Sequence, residues 1–330
     1  MLRKIATAFL ATAILSLTAM AQDFDLQGHR GARGLSPENT LAAFARALTI
    51  GVSTLELDVG VSRDGIVVVT HNLRLEPETT RRLDGTWLSA TGPAVRTLSV
   101  EELGAYDVGQ IKPGSRYAGR FPDQTPVDGA RIPTLKEVIE LVRRSGNEKV
   151  RLNIETKLKP TEPDLTLSPE KFAMAILDVV HGLGMTDRVT IQSLDWRTLQ
   201  EVQRRAPAVE TSYLSTQQRW FDNLRKGEAG PSPWTAGFDI DDFGGSVPRL
   251  VKAAGGRVWS PYHREVDAAQ VEEAHDLGLV VKVWTVNEEV RMEVLVDMGV
   301  DGIITDYPDR LRRVLEKRGM KVPTPTPVRP

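Results

Sequence analysis

The chain has 330 residues, a formal net charge of −2 and no cysteine, and 41% of its residues are hydrophobic. The absence of cysteine excludes disulfides and lipid attachment through an N-terminal Cys, and the mild acidity argues against a general nucleic-acid-binding surface. The length and the hydrophobic content suffice for one large domain or two small ones.

The first 21 residues have the pattern of a secretory signal peptide. Arg3 and Lys4 form a basic start, residues 5–19 are apolar, and Ala19-Met20-Ala21 matches a small-x-small cleavage site. The apolar run is shorter than the span of about 20 residues that a membrane helix needs. We therefore expect cleavage after Ala21, a periplasmic protein and no stable membrane anchor.

From residue 22 onwards, short apolar strand patterns alternate with helix patterns. Eight such β–α units predict an α/β fold, a closed (β/α)₈ TIM barrel. The predicted strands cover 25–29, 53–59, 149–156, 188–192, 209–213, 256–260, 279–284 and 301–305. The predicted helices cover 38–50, 134–145, 168–183, 195–205, 246–254, 267–277, 287–298 and 307–318.

Two irregular segments account for the length beyond the about 250 residues of a bare barrel. Residues 73–131 interrupt the alternation after the second strand, and we predict a small inserted subdomain over the barrel mouth. Residues 215–245 form a second long loop. Such loops often act as lids or substrate walls, with structural elaboration as the alternative. The proline-rich residues 323–330 predict a disordered tail behind a barrel domain that spans residues 22–322.

Carboxylates occur at the ends of the second and third predicted strands. Glu56 and Asp58 share one face of the second strand because residues i and i+2 point the same way, and Glu155 lies on the third strand. Neighbouring barrel strands bring the three side chains together at the carboxyl-terminal mouth. Adjacent carboxylates raise one another's pKa unless a cation binds, and oxygen ligands favour Mg²⁺ or Ca²⁺. Internal salt bridges with Lys or Arg are the alternative.

Two histidines also occur where strands end on the loop-bearing side. His29 lies in a glycine-rich strand-to-helix loop, and His71 ends a short apolar strand. Two imidazoles near one metal suit general acid–base catalysis because their pKa lies close to working pH. A structural role is the alternative for either residue.

Further polar and aromatic residues suit a phosphodiester ligand. Three carboxylates with one divalent cation sum to −1, so Arg30 and Lys157 are needed to attract a phosphate. Gln192, at the end of the fourth strand, is a candidate lining residue. Trp284, at the end of the seventh, would offer an apolar face to a substrate carbon chain, with barrel packing as the alternative.

Together these residues resemble the glycerophosphodiester phosphodiesterase family, in its bacterial secreted type. The resemblance runs from Leu26 to Pro308. The family is a (β/α)₈ barrel with a small insertion after the second strand. The matching motifs are His29-Arg-Gly31, Pro37-Glu-Asn-Thr40, Glu56-x-Asp58, Asp64-Gly65, His71, Glu155-x-Lys157, Trp284-Thr-Val-Asn287 and Thr305-Asp-Tyr-Pro308.

The resemblance implies metal-dependent hydrolysis of glycerophosphodiesters to sn-glycerol 3-phosphate and an alcohol. The family often has Asp after the second histidine, whereas this chain has Asn72, which removes a negative charge beside His71. The implied roles are an acid–base pair of His29 and His71, phosphate contacts from Arg30 and Lys157, and one Ca²⁺ or Mg²⁺ on Glu56, Asp58 and Glu155.

The sequence leaves three other functions open. His29 and His71 could be ligands of a zinc phosphoesterase, the substrate could be a lysophospholipid as in a lysophospholipase D-like enzyme, or the barrel could be a non-catalytic periplasmic binder of phosphodiesters. The sequence also leaves open the alcohol head group, the choice between Ca²⁺ and Mg²⁺, and which histidine is the acid. It does not distinguish attack by a glycerol hydroxyl from attack by water.

Overall fold

Eight parallel strands form a closed barrel in the computed structural model, which describes residues 23–330. The predicted signal peptide lies outside the described residues. Each strand pairs with its neighbours in chain order, and β1 pairs with both β2 and β8, so the TIM-barrel prediction is confirmed. The strands are β1 (Asp25–Gly28), β2 (Thr54–Val61), β3 (Arg151–Thr156), β4 (Val189–Ser193), β5 (Glu210–Ser215), β6 (Val258–Pro261), β7 (Val280–Val283) and β8 (Gly302–Thr305).

A helix follows every barrel strand. Each helix begins and ends within three residues of its predicted bounds. None of the helices in the described part of the chain has the length and hydropathy needed to cross a bilayer. The helices are α1 (Leu41–Ile50), α2 (Leu135–Arg144), α3 (Pro169–Gly182), α4 (Trp196–Arg205), α5 (Val247–Ala253), α6 (Ala268–Asp276), α7 (Glu289–Asp297) and α8 (Pro308–Lys317).

Helix α1 begins three residues later than its periodicity predicts. Asn39 has a positive φ of 56°, which a helix cannot include, and Thr40 then caps the helix by accepting a hydrogen bond from the Ala43 N–H at 3.2 Å. The turn before the cap is therefore free to face the barrel mouth.

Strand β2 shows how the barrel buries charge. Leu55 and Leu57 are fully buried in the hydrophobic core, and Glu56 and Asp58 alternate with them on the other face of the strand. Because both faces of a barrel strand are covered, Glu56 is 1% exposed and Asp58 is not exposed at all.

Two long segments, one after β2 and one after β5, lie at the mouth of the barrel. After β2, a strand at Val67–Val69 runs antiparallel to β2 and leads back to the mouth, and the segment that follows packs around a small second core of buried residues. After β5, a two-stranded hairpin joins Gln217–Gln218 to Phe221–Asp222. Both segments therefore border the space above the carboxyl ends of the strands.

The proline-rich residues 323–330, predicted to be a disordered tail, contact the barrel helices in the structure. The Thr326 N–H donates to the Leu48 carbonyl of α1 at 2.9 Å, and Arg312 of α8 donates to the Pro323 carbonyl at 2.7 Å. Val328 packs against the main core. An extended, proline-rich chain has free backbone groups, and here they bond to groups on the neighbouring helices.

Candidate active site

A cavity of about 800 Å³ opens at the carboxyl ends of the strands. Of the nine residues that the sequence predicts for the site, all but Asp58 line it, and the fully buried Asp58 contacts several that do. The eight are His29, Arg30, Glu56, His71, Glu155, Lys157, Gln192 and Trp284.

Strand register assembles the three predicted metal ligands. Asp58 of β2 pairs directly with Glu155 of β3, and Glu56 lies two residues before Asp58. One oxygen from each carboxylate lies within 4.8 Å of the others. Among residues 23–330 this is the one group of metal-ligating side chains that is so compact, and it includes neither histidine.

The acidic cluster of Glu56, Asp58 and Glu155 has the negative charge and the unpaired carboxylate oxygen that suit a hard cation. Burial, followed by the charges of Asp58 and Glu155, raises the pKa of Glu56 well above its ordinary value. The Asp58 Oδ1 atom is buried without a hydrogen-bond partner, and the Lys157 Nζ atom stands 3.6 Å away. A divalent cation would satisfy that oxygen and remove the mutual repulsion, so the three residues fit a Ca²⁺ or Mg²⁺ site.

The orientation of Asp58 depends on the turn before α1. The Asn39 side chain donates to Asp58 Oδ2 at 2.9 Å and accepts the Asp58 N–H at 3.3 Å. Arg30 Nε lies 3.1 Å from the same Oδ2 atom. Burial raises the pKa of Asp58, but the neighbouring charges, of which Arg30 is the largest, together outweigh burial and keep that pKa below its ordinary value.

Glu56 is held by two donors. Gln192 Nε2 donates to Oε1 at 2.8 Å, and the Arg30 backbone N–H donates to Oε2 at 2.8 Å. The Gln192 amide oxygen also accepts from Asn153 at 2.9 Å. Gln192, a predicted substrate contact, therefore lines the cavity and also supports the acidic cluster.

The loop between β1 and α1 reaches the acidic cluster through a strained turn. Arg30 has a φ of 50°, and Gly31 follows with a φ of 86°. A Cβ atom on Gly31 would lie 2.6 Å from the carbonyl carbon of Ala43, so only glycine fits under α1. This turn directs both the Arg30 backbone N–H and its guanidinium at the carboxylates.

Arg30 and Lys157, the predicted phosphate contacts, line the cavity beside the acidic cluster, and each is paired with a carboxylate. Arg30 Nη1 donates to Glu38 Oε1 at 2.7 Å, and Lys157 Nζ donates to Glu155 Oε1 at 2.7 Å. Glu38 also accepts a hydrogen bond from the Tyr117 hydroxyl of the segment after β2. Glu38 therefore connects that segment to Arg30, a role that the sequence left unassigned.

His29 is oriented by a carboxylate from the far end of the chain. His29 Nδ1 lies 2.7 Å from Asp306 Oδ1, and its Nε2 atom lies 3.9 Å from Glu56 Oε2. Because an ionised carboxylate only accepts hydrogen bonds, Nδ1 carries the proton and Nε2 is a free acceptor that faces the acidic cluster. Burial and Arg33 lower the pKa of His29 to about 4, against the opposing charge of Asp306.

Asp306 itself is fixed by three hydrogen bonds besides that of His29. Arg33 donates to both carboxylate oxygens, at 2.7 and 3.0 Å, and Asn287 Nδ2 donates to Oδ2 at 2.7 Å. Burial raises the pKa of Asp306, but the charges and hydrogen bonds of Arg33 and His29 together keep it well below its ordinary value. The carboxylate therefore stays ionised and holds one tautomer of His29.

His71 has a neutral partner in the equivalent place. Its Nδ1 atom lies 2.7 Å from Asn72 Oδ1, so Nδ1 again carries the proton and Nε2 is free. Burial, Arg30 and Lys157 hold the pKa of His71 well below its ordinary value. Two imidazoles with free Nε2 atoms thus share a cavity with the acidic cluster.

Comparison with known proteins shows the family of this chain. The sequence profile of the glycerophosphoryl diester phosphodiesterase family matches residues 29–310. The chain belongs to this family. Its enzyme class is accordingly that of the phosphoric diester hydrolases.

Relatives match over almost the whole described chain. The glycerophosphodiester phosphodiesterase of Caldanaerobacter subterraneus is 30% identical over 295 residues, which cover 88% of this chain and 97% of the relative. A crystal structure from Silicibacter pomeroyi DSS-3 that bears the same family name is 38% identical, with a TM-score of 0.80 and coverage of 91% and 96%. An Oleispira antarctica phosphodiesterase, solved with the product sn-glycerol-3-phosphate, shares the fold at 23% identity, a TM-score of 0.64 and coverage of 88% and 96%.

The motifs shared with the glycerophosphoryl diester phosphodiesterases become one connected network in space. Within Pro37-Glu-Asn-Thr40, Glu38 bonds Arg30, Asn39 bonds Asp58 and Thr40 caps α1. The sequence alone did not assign roles to these three residues. The signal that could have found them is their position, since all three follow the first strand on the loop-bearing side.

Asp306 and Arg33 are the other residues that sequence reasoning missed. Asp306 follows β8 as Lys157 follows β3, so its place at a strand end was available as a signal. No comparable signal marks Arg33, because its partner lies 273 residues away. Trp284 lines the cavity as predicted, and its Nε1 donates to the Ser260 carbonyl at 2.8 Å.

Proposed function

We propose that this chain hydrolyses glycerophosphodiesters to sn-glycerol 3-phosphate and an alcohol, with a divalent cation on the acidic cluster and with His29 and His71 as the acid–base pair. The observation that carries the proposal is the pair of Nδ1-anchored imidazoles in one cavity with three buried carboxylates. The family match supports the substrate class, and the product bound to the Oleispira antarctica phosphodiesterase supports the product.

Charge balance in the cavity suits an anionic diester. The three carboxylates with one divalent cation sum to −1, and Arg30 and Lys157 reverse the sign of that total. A cation held by Glu56, Asp58 and Glu155 would supply positive charge that stabilises the negative charge developing on the phosphoryl oxygens. Arg30 and Lys157 bind the remaining phosphoryl oxygens, Arg30 through a planar fork and Lys157 as a point charge.

Proton transfer falls to the two free Nε2 atoms. The Asp306 carboxylate stabilises the imidazolium form of His29, whereas Asn72 offers His71 only a neutral dipole. This difference favours His29 as the base that deprotonates the attacking hydroxyl or water. The negative charge of a bound diester raises the pKa of His71, which then donates its proton to the leaving oxygen.

A substrate panel tests the proposal directly. We expect release of sn-glycerol 3-phosphate from at least one of the glycerophospho-choline, -ethanolamine, -glycerol and -inositol esters, loss of turnover in EDTA and recovery with Ca²⁺ or Mg²⁺. Binding of all four esters without product would point to a non-catalytic binder. Recovery with Zn²⁺ alone would point to a zinc phosphoesterase.

We also propose that the chain is exported and that a signal peptide is removed after Ala21. The basic start and the apolar run before Ala19-Met20-Ala21 support this. Mass spectrometry of the protein from a periplasmic fraction is expected to find Gln22 at the N-terminus. An intact Met1 terminus on cytosolic protein would contradict export.

A further inference from the structure

The cavity has a charged half and an uncharged half. Each charged lining residue either precedes residue 158 or is Asp306. The residues that line it from Leu194 to Thr285 are all uncharged. They are Leu194, Leu214, Trp220, Tyr262, Trp284 and Thr285.

Barrel order explains the division. Strands β8, β1, β2 and β3 are consecutive around the barrel and end in the acidic cluster, the two cations and the His29–Asp306 pair. Strands β4 to β7 complete the circle, so their ends lie across the mouth from the reacting groups. A diester whose phosphate sits on the charged half can therefore extend one substituent along the uncharged half.

Three aromatic rings make this half a continuous surface, which we call the aromatic wall (Trp220, Tyr262 and Trp284). The Trp220 and Tyr262 ring centroids are 5.7 Å apart at 85°, and those of Tyr262 and Trp284 are 5.6 Å apart at 61°. Edge-to-face contacts of this kind are favourable. The wall runs from the end of β7 out to the hairpin after β5.

Trp220 is the unusual member of the wall. Among the large apolar side chains that residues 23–330 leave exposed, it is the one aromatic, at 61% exposure. Its hairpin is anchored at the base, because the Gln217 N–H and the Gln218 side chain both donate to Glu265, at 2.9 and 2.6 Å. An anchored, exposed tryptophan at a cavity rim indicates a contact surface for a ligand.

Resting on the phosphodiesterase function proposed above, we propose that the aromatic wall binds an alkyl or acyl chain, so that the substrates include phosphodiesters carrying one such chain. No carboxylate lines the wall, which favours a chain over a cationic head group. The cavity volume of about 800 Å³ lies in the upper part of the range for ligand pockets, and the exposed rim at Trp220 leaves the chain end free to continue outwards.

The reaction is unchanged by the chain. Water adds across one P–O bond, leaving a phosphomonoester and an alcohol. A chain on the glycerol, as in a lysophospholipid, stays with the phosphomonoester, whereas a chain on the alcohol leaves with it. Both sources offer the same methylene groups to the aromatic wall, and the two arms of the experiment separate them.

The experiment compares kcat/KM for glycerophosphoethanolamine with its 1-hexanoyl and 1-octanoyl derivatives in one arm, and for methyl, butyl and hexyl glycerophosphate esters in the other. In at least one arm we expect kcat/KM to rise about threefold to fourfold for each added methylene that reaches the wall. Trp220→Ala should lower the ratio of chain-bearing to chainless kcat/KM by at least about tenfold, since it removes the largest exposed ring. Leu83→Ala removes a 55% exposed side chain outside the cavity and should leave the ratio unchanged.

Equal kcat/KM with and without a chain in both arms would overturn the proposal that the aromatic wall binds a chain. A chain preference that survives Trp220→Ala would overturn it as well. A preference for choline over ethanolamine without dependence on chain length would overturn it in favour of a cation site. Turnover of chainless glycerophosphoethanolamine would show that the phosphodiesterase function holds even if the aromatic wall does not bind a chain. No turnover of any substrate would overturn both the phosphodiesterase function and chain binding by the wall.

Discussion

Replacing His29 with alanine is expected to lower kcat for a glycerophosphodiester by at least about 10²-fold, the usual size of a general acid–base contribution. The free Nε2 atom facing the acidic cluster is lost, while Glu56, Asp58 and Glu155 keep their own contacts. Metal affinity should therefore stay within a few-fold of the wild type. Steady-state kinetics and calorimetric titration with Ca²⁺ and Mg²⁺ measure the two quantities separately.

His275 provides a matched control for this experiment. It also pairs with an aspartate, with Nε2 at 3.0 Å from Asp301, but on the protein surface and outside the cavity. His275→Ala is expected to leave kcat unchanged. Near-normal turnover in His29→Ala would remove His29 from the mechanism, and loss of metal together with turnover would make it a ligand instead.

Asp306→Asn tests the orientation of His29 without removing the ring. An amide can donate to Nδ1, which moves the ring proton to Nε2 and leaves no base facing the substrate, so we expect a loss of about 10²- to 10⁴-fold in kcat. Because Asp306 raises the pKa of His29, its loss should also move the acidic limb of the pH–rate profile to lower pH. An unchanged profile with a modest loss of rate would indicate a purely structural role.

Asp58→Asn is expected to abolish metal-dependent turnover. The substitution keeps the shape of the side chain but removes one of three anionic ligands and frees Arg30 from one of its two carboxylates. We expect metal affinity to fall by at least about 10²-fold, since even changes to groups that only support a ligand cost up to that much. Calorimetric titration measures this without reference to activity.

Thermal unfolding supplies an independent readout for Asp58→Asn. Wild-type protein with cation at 100 times Kd should gain about 2.7 kcal/mol of unfolding free energy, and the variant should gain almost none at the same concentration. Asp178→Asn, at an exposed position of α3, is the control and should keep the full gain. An Asp58→Asn variant that binds and responds to cation like the wild type would place the metal elsewhere.

The chain has Asn72 where the family resemblance leads us to expect an aspartate, and the hydrogen bond to His71 is kept. Asn72 preserves the geometry that an aspartate would give, because its Oδ1 atom still accepts the Nδ1 proton of His71. What changes is the charge, and with it the stabilisation of an imidazolium at that position. The carboxylate that remains, Asp306, lies behind the other histidine.

The sequence by itself determined the fold and which side chains would lie together at the barrel mouth. Alternating strand and helix patterns are local, so eight β–α units could be counted, and the i, i+2 spacing placed Glu56 and Asp58 on one face of β2. The expectation that strands two and three adjoin then brought in Glu155. Each of these inferences needs only neighbours in the chain or the order of strands in a barrel.

Only the tertiary structure decided which groups support that site. His29 and Asp306 are 277 residues apart and meet because β1 and β8 close the barrel. The tail could not be placed either, since its contact with Leu48 depends on how α1 and α8 pack. The aromatic wall is assembled from Trp220 and from two residues that follow β6 and β7, Tyr262 and Trp284, which are distant in the chain from the charged residues that they face. Pairings of this kind depend on barrel closure and loop path, which no short-range periodicity encodes.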